Sequence, residues 1–107
     1  MREYYSYENY KEWRGEWELL DGFAAPKSPS PNISHQLLAT EIAFEFRKNL
    51  EKCDKCFVVN QEDYKVGEYT VLKPDVSVIC NQMGDYIVKA PEVIVEVISP
   101  STAKRDE

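Results

Sequence analysis

The sequence lacks any run of about 18 apolar residues, so no transmembrane helix is expected. It also lacks an apolar leader, because Met1-Arg2-Glu3-Tyr4-Tyr5 opens the chain with charge and aromatic rings instead. A cytoplasmic protein is the expectation. Cysteine is scarce: Cys53, Cys56 and Cys80 are too few, and odd in number, for the disulfide framework of a secreted domain. Cys53 and Cys56 have C-x-x-C spacing, but a structural zinc site needs two further ligands, and only Cys80 and the single histidine, His35, remain. The pair follows a helical stretch and does not open one, where a redox thiolate would be stabilised. These cysteines read as incidental. Positive charge is scarce too. Thirteen Lys and Arg against nineteen Asp and Glu leave a net charge of −6, which argues against a broad, non-specific nucleic-acid surface. It leaves room for acids gathered around a metal ion. The nearest thing to a basic patch, Arg47, Lys48, Lys52 and Lys55, sits at the end of a helical stretch, where solvated cations suit the helix dipole.

What is present suffices for one domain of 107 residues, 43% of them hydrophobic and 30% charged. Tyr4, Tyr7, Tyr10 and Trp13 recur at a three-residue step, compatible with one face of a helical turn packed on the domain. Trp17 to Leu20 reads as a strand, Asp21-Gly22 as a two-residue hairpin turn, and Phe23 to Pro26 as the return strand. Lys27 to Asn32 is a Pro/Ser loop, and Asn32 or Ser34 can cap the helix after it. That helix spans His35 to about Lys52, with Leu38, Ile42, Phe46 and Leu50 as its buried line and Ala39 and Ala43 widening it. His35 lies in the first turn, where hydrogen bonding to backbone or a carboxylate weighs more than catalysis. Strands follow at 57–66, 69–80 and 92–98, with Tyr86-Ile87-Val88 as a further short one. Pro74 interrupts the second, which marks an edge, a bulge or a bend. Ser99-Pro100-Ser101-Thr102 has the signature of another helix start.

Two of these strands each carry one acid among apolar neighbours: Asp75 in Lys73-Pro74-Asp75-Val76-Ser77-Val78-Ile79, and Glu96 in Val93-Ile94-Val95-Glu96-Val97-Ile98. An isolated buried carboxylate is costly, so it has an ionic, hydrogen-bonding or metal partner. If the strands pair, both carboxylates converge on one spot, in outline a hard-cation site. The bland alternative is that they cap strand ends or pair with lysines such as Lys73 and Lys89.

Together with Trp17-Glu18-Leu19-Leu20-Asp21-Gly22, His35 opening a helix, and Ala90-Pro91-Glu92 leading into the last strand, these segments resemble the Uma-two family of restriction-endonuclease-like proteins, within the PD-(D/E)XK nuclease superfamily. The resemblance covers nearly the whole chain. It implies an α+β, restriction-endonuclease-like core: a helix, then an antiparallel three-stranded meander, here preceded by a β-hairpin. It implies a metal-dependent nuclease hydrolysing phosphodiester bonds. Asp75 and Glu96 would bind magnesium or manganese, the Val97 carbonyl would be an extra ligand, and Glu18 would be a third motif acid that joins the metal or satisfies backbone groups at the hairpin. The substrate would be nucleic acid, DNA before RNA.

The superfamily lysine belongs two residues after Glu96, and Ile98 stands there. The resemblance places a substitute beyond Asp106, with Lys104 the nearest candidate in this chain. The final helix and strand of the family are also missing, so 1–107 is expected to be a single, C-terminally incomplete domain, inactive by itself and self-associating through the strand edge at 92–98. The rival reading is a non-catalytic interaction module that keeps the nuclease-like fold.

Overall fold

Asp21 and Gly22 decide the first tertiary feature. Their φ angles are 53° and 89°, the pair of positive values that a type I′ turn needs. Strand β1 (Trp17–Leu20) therefore folds back on β2 (Phe23–Pro26) with Leu20 opposite Phe23. The computed structural model describes residues 4–27 and 32–98. Ahead of the hairpin the aromatic step forms the short helix α1 (Tyr7–Tyr10). Buried Tyr10 packs with Leu19 and Val71, flanked by Tyr5, Tyr7, Trp13 and Trp17.

Helix α2 (Ile33–Asn49) starts two residues before the expected span and ends three short of it. Asn32 caps it, its side-chain oxygen accepting from the His35 N–H at 2.8 Å. The buried face is the expected one except at Leu38. Leu38 is 50% exposed and Leu37 and Phe44 more so, while His35, Ala39, Ile42, Ala43, Phe46 and Leu50 turn inward. His35 takes the place expected of Leu38 on that face, and α2 packs on the strands β3 (Cys56–Asn60) and β6 (Val76–Cys80).

The long strands expected at 57–66 and 69–80 are each cut in two. Pro74 offers no N–H to a ladder, so the chain divides into β5 (Thr70–Leu72) and β6 around Lys73-Pro74-Asp75. The partner strand divides at the matching place, between β3 and β4 (Tyr64–Gly67), where Gln61 takes a positive φ of 53°. One ribbon thereby serves two sheets. The first has the order β2-β1-β5-β4 and the second β3-β6-β7, with β7 at Val93–Val95. The second is the antiparallel meander that the sequence implies, shorter at its last strand than 92–98. Ile87, almost wholly buried, bridges to Tyr64 in parallel instead of founding a strand of its own.

Every residue of β6 is buried, as its run of Val, Ser, Val, Ile and Cys suggests for a central strand. The cysteines depart from the incidental reading. Cys56 and Cys80 are directly opposite in the β3–β6 ladder and form a disulfide, leaving Cys53 free and exposed. Among the described residues no helix is long and apolar enough to cross a membrane. The apparent helix start at 99–102 and Lys104 lie outside the described residues.

Candidate active site

The site forms where the two sheets meet. Lys73-Pro74-Asp75 is the link between β5 of one sheet and β6 of the other, so the residue that follows the proline leaves one ladder just as it enters the next. In the β6–β7 register Val76 faces Val95. The same register carried one step past the end of the ladder would bring Glu96 to Asp75, whose charge does act on it. Glu96 therefore lies just past β7, not within a longer strand, yet still beside its partner acid.

Asp75 is 4% exposed. Its Oδ2 accepts the Val97 N–H at 2.7 Å and stands 3.3 Å from His35 Nε2, delivered by the first turn of α2. Val97 thus touches Asp75 through its N–H. The backbone of Asp75 is held too, its carbonyl accepting from the Gln61 N–H at 3.1 Å. Two contacts on one carboxylate oxygen account for an acid in a buried place. His35 Nδ1 and the Ser77 hydroxyl are buried without a hydrogen-bond partner among the described residues. Ser77 follows Asp75 on the same side of β6 by strand alternation.

Glu96 is half exposed and pairs with Lys27, Nζ to Oε1 3.1 Å. Glu18, on β1, completes the group. Its Oε2 accepts the Lys73 N–H at 2.8 Å and lies 3.8 Å from Lys27 Nζ. Glu18 therefore holds backbone after β5 and not at the hairpin, and its charge reaches Glu96. Burial pushes the Glu96 carboxyl above the usual glutamate value, Lys27 opposes that, and the charges of Asp75 and Glu18 add to the rise. Glu96 thus feels the charge of both other acids named from the sequence.

The lysines suggested as ordinary partners go elsewhere. Lys73 Nζ pairs with Asp63 at 2.9 Å, and Lys89 Nζ reaches the Asn81 carbonyl. Asp63 also accepts from the Tyr10 hydroxyl, whose phenol is held far above its ordinary pKa, first by burial and then by that carboxylate. Sequence reasoning missed Lys27. The hairpin register places it just beyond Pro26, opposite Glu16, whose carbonyl accepts its N–H at 3.0 Å. It therefore shares the Glu18 face of the hairpin by alternation. That much was available from the Asp21-Gly22 turn; the contact with Glu96 was not.

Whether the site suits a hard cation can be judged from its own atoms. The donors that converge are carboxylate oxygens, and a cation, the Lys27 ammonium, already lies between Glu96 and Glu18. Magnesium and manganese fit such oxygen sets with few protein ligands and several waters. Among the described residues no three His, Cys, Asp or Glu side chains are closed into a ready metal cage.

No curated protein matches the chain. A solved structure from Anabaena variabilis ATCC 29413, described as "a putative nuclease belonging to DUF820", shares the fold with a TM-score of 0.77 at 15% identity. The match covers 94% of this chain and 62% of that one, so the present chain spans less than two thirds of its neighbour's length. The model of the family Uma2, described as "Putative restriction endonuclease", matches residues 1–107, and the chain belongs to that family.

Proposed function

We propose that the chain carries the metal-binding acids of a nuclease that hydrolyses phosphodiester bonds with magnesium or manganese. The observation that carries the reading is the place of Glu96, which feels the charges of both Asp75 and Glu18 and shares the Lys27 cation with Glu18. Asp75 and Glu96 would be the ligands, with the Val97 carbonyl as a third, and Glu18 would take part from the first sheet. The bound ion would polarise a phosphoryl oxygen and lower the pKa of an attacking water. Asp75 is suited to its part because the Val97 N–H and His35 fix its carboxylate. Glu96 is suited to a ligand that must adjust, being half exposed and held by one flexible lysine.

The substrate in this reading is nucleic acid, DNA before RNA, and the compartment is the cytoplasm. Copies of the chain would associate through the β7 edge, where Ile94 and Ile98 are 42% and 68% exposed. Ile98 favours a second reading, a non-catalytic module that keeps the fold. An aliphatic side chain in the lysine position can neither donate a proton nor offset phosphoryl charge.

Supercoiled plasmid and single-stranded RNA, incubated with manganese and either wild type or Asp75→Asn, separate the two readings. Cleavage that needs manganese and disappears in the variant would carry the nuclease reading and overturn the expectation that 1–107 is inactive by itself. Manganese binding without cleavage of either substrate would favour the module. Asn is preferred to Ala because its side-chain oxygen still accepts the Val97 N–H.

A further inference from the structure

We propose that Lys27 is the working ammonium of this site. It is a tethered cation that holds Glu96 and Glu18 until a divalent ion arrives, and it then turns to the phosphoryl oxygen of the bound substrate. The second half rests on the nuclease reading above; the first does not.

The other lysines near the site are spoken for. Lys73 is committed to Asp63, Lys89 to a backbone carbonyl, and Lys65 to Glu68 and the face of Tyr7. Lys27 alone among them has the site's own acids as partners, at 3.1 Å from Glu96 and 3.8 Å from Glu18. Its side chain is only 20% accessible, so the ammonium is seated in the cluster and not waving above it. Its backbone is pinned to the hairpin by the bond to the Glu16 carbonyl. What remains free to move is the four-carbon stem, carrying a compact charge with three donors.

A divalent ion entering between Asp75 and Glu96 competes for the Glu96 oxygen that Lys27 now holds. Two cations on one carboxylate repel each other, which weakens the hold of Glu96 on the ammonium and favours its release. The nearest new anion is the phosphate that the ion itself attracts. Ile98, two residues past Glu96, has no charge to offer there, and Lys27 brings one from the other sheet. The cation would then come from the end of β2 and not from the strand that bears the acid.

The test combines manganese calorimetry with cleavage of supercoiled plasmid for wild type, Lys27→Met and Lys27→Arg. Melting of each protein without metal serves as the control for folding, and Lys27→Gln replaces the Met variant if that one aggregates. Losing the tethered competitor should tighten manganese binding in Lys27→Met by about fivefold. Lys27→Arg should bind as wild type does. Cleavage by Lys27→Met should fall by about 10²–10³-fold, the usual cost of one electrostatic contact to a reacting oxygen. Binding in Lys27→Met that is unchanged or weaker would overturn the tethered-cation role. Tighter binding with undiminished cleavage would overturn the phosphoryl role. Tighter binding in Lys27→Met with no cleavage by wild type would support the counter-ion half and overturn the phosphoryl role for this chain. No manganese binding by any of the proteins would overturn both.

Discussion

At the scale of single residues, the tension in the molecule is between acids that crowd and the groups that permit it. Asp75 is tolerated because its charge is met by an N–H and an imidazole in fixed places. Glu96 is tolerated less well. Its carboxyl is raised by burial and by the neighbouring acids, and Lys27 only partly offsets this. A carboxyl whose folded pKa lies above its unfolded one binds its proton more tightly in the fold. Its ionisation at higher pH then works against stability. Glu96→Gln removes the charge at every pH, so its stability relative to wild type should rise as pH goes from about 4 to 7. Urea unfolding at the two ends of that range checks it. A relative stability that falls instead would mean that the Lys27 pair outweighs burial. Asp75 and Glu96 could be picked out from sequence because each is an acid inside a β-branched run. Lys27 could not, because its partner lies 69 positions away and no local pattern points across that distance.

At the scale of elements, the conformation of a few residues sets what each stretch can become. Pro74 and the positive φ of Gln61 cut two long strands at facing points, and the sequence announces only the proline. The hairpin was legible because Asp-Gly permits a conformation that most residues resist. Gly22 has a second constraint: an added Cβ would run into the Tyr4 ring. Gly22→Ala should therefore cost about 1–2 kcal/mol from the left-handed backbone alone. Thermal and urea unfolding measure this, and a loss below about 0.5 kcal/mol would show that the turn changes type to suit alanine. Helix α2 was legible in existence and in most of its inward face, Leu38 excepted. Leu38 belongs to a four-residue apolar spacing just as His35 and Ala39 do, and periodicity cannot say which line meets the sheet. The Cys56–Cys80 pairing was hidden for a related reason, since it depends on the register of β3 against β6.

At the scale of the whole molecule, two sheets share one ribbon, and the acids lie across their junction. The meander was legible from its strand order, but the division into two sheets was not, because it needs the β4–β5 excursion to join the N-terminal hairpin through Leu19 and Val71. The division has a thermodynamic consequence. Glu18 comes from the first sheet, Asp75 from the link between the two, and Glu96 from the end of the second, so an ion held among them ties the junction together. A ligand that binds only the folded state stabilises it by about 2.7 kcal/mol at one hundred times its dissociation constant. For a domain of this size that shifts the melting temperature by about 10–20 °C. Manganese should therefore raise the melting temperature of wild type by that order, and Asp75→Asn should lose most of the rise. The variant keeps an acceptor for the Val97 N–H, so its own melting without metal should stay close to wild type and leave the comparison clean. An equal rise in both proteins would put the ion elsewhere on an acidic surface. A rise in wild type that vanishes equally in Glu18→Gln would show that the first sheet supplies a ligand and not only a neighbouring charge.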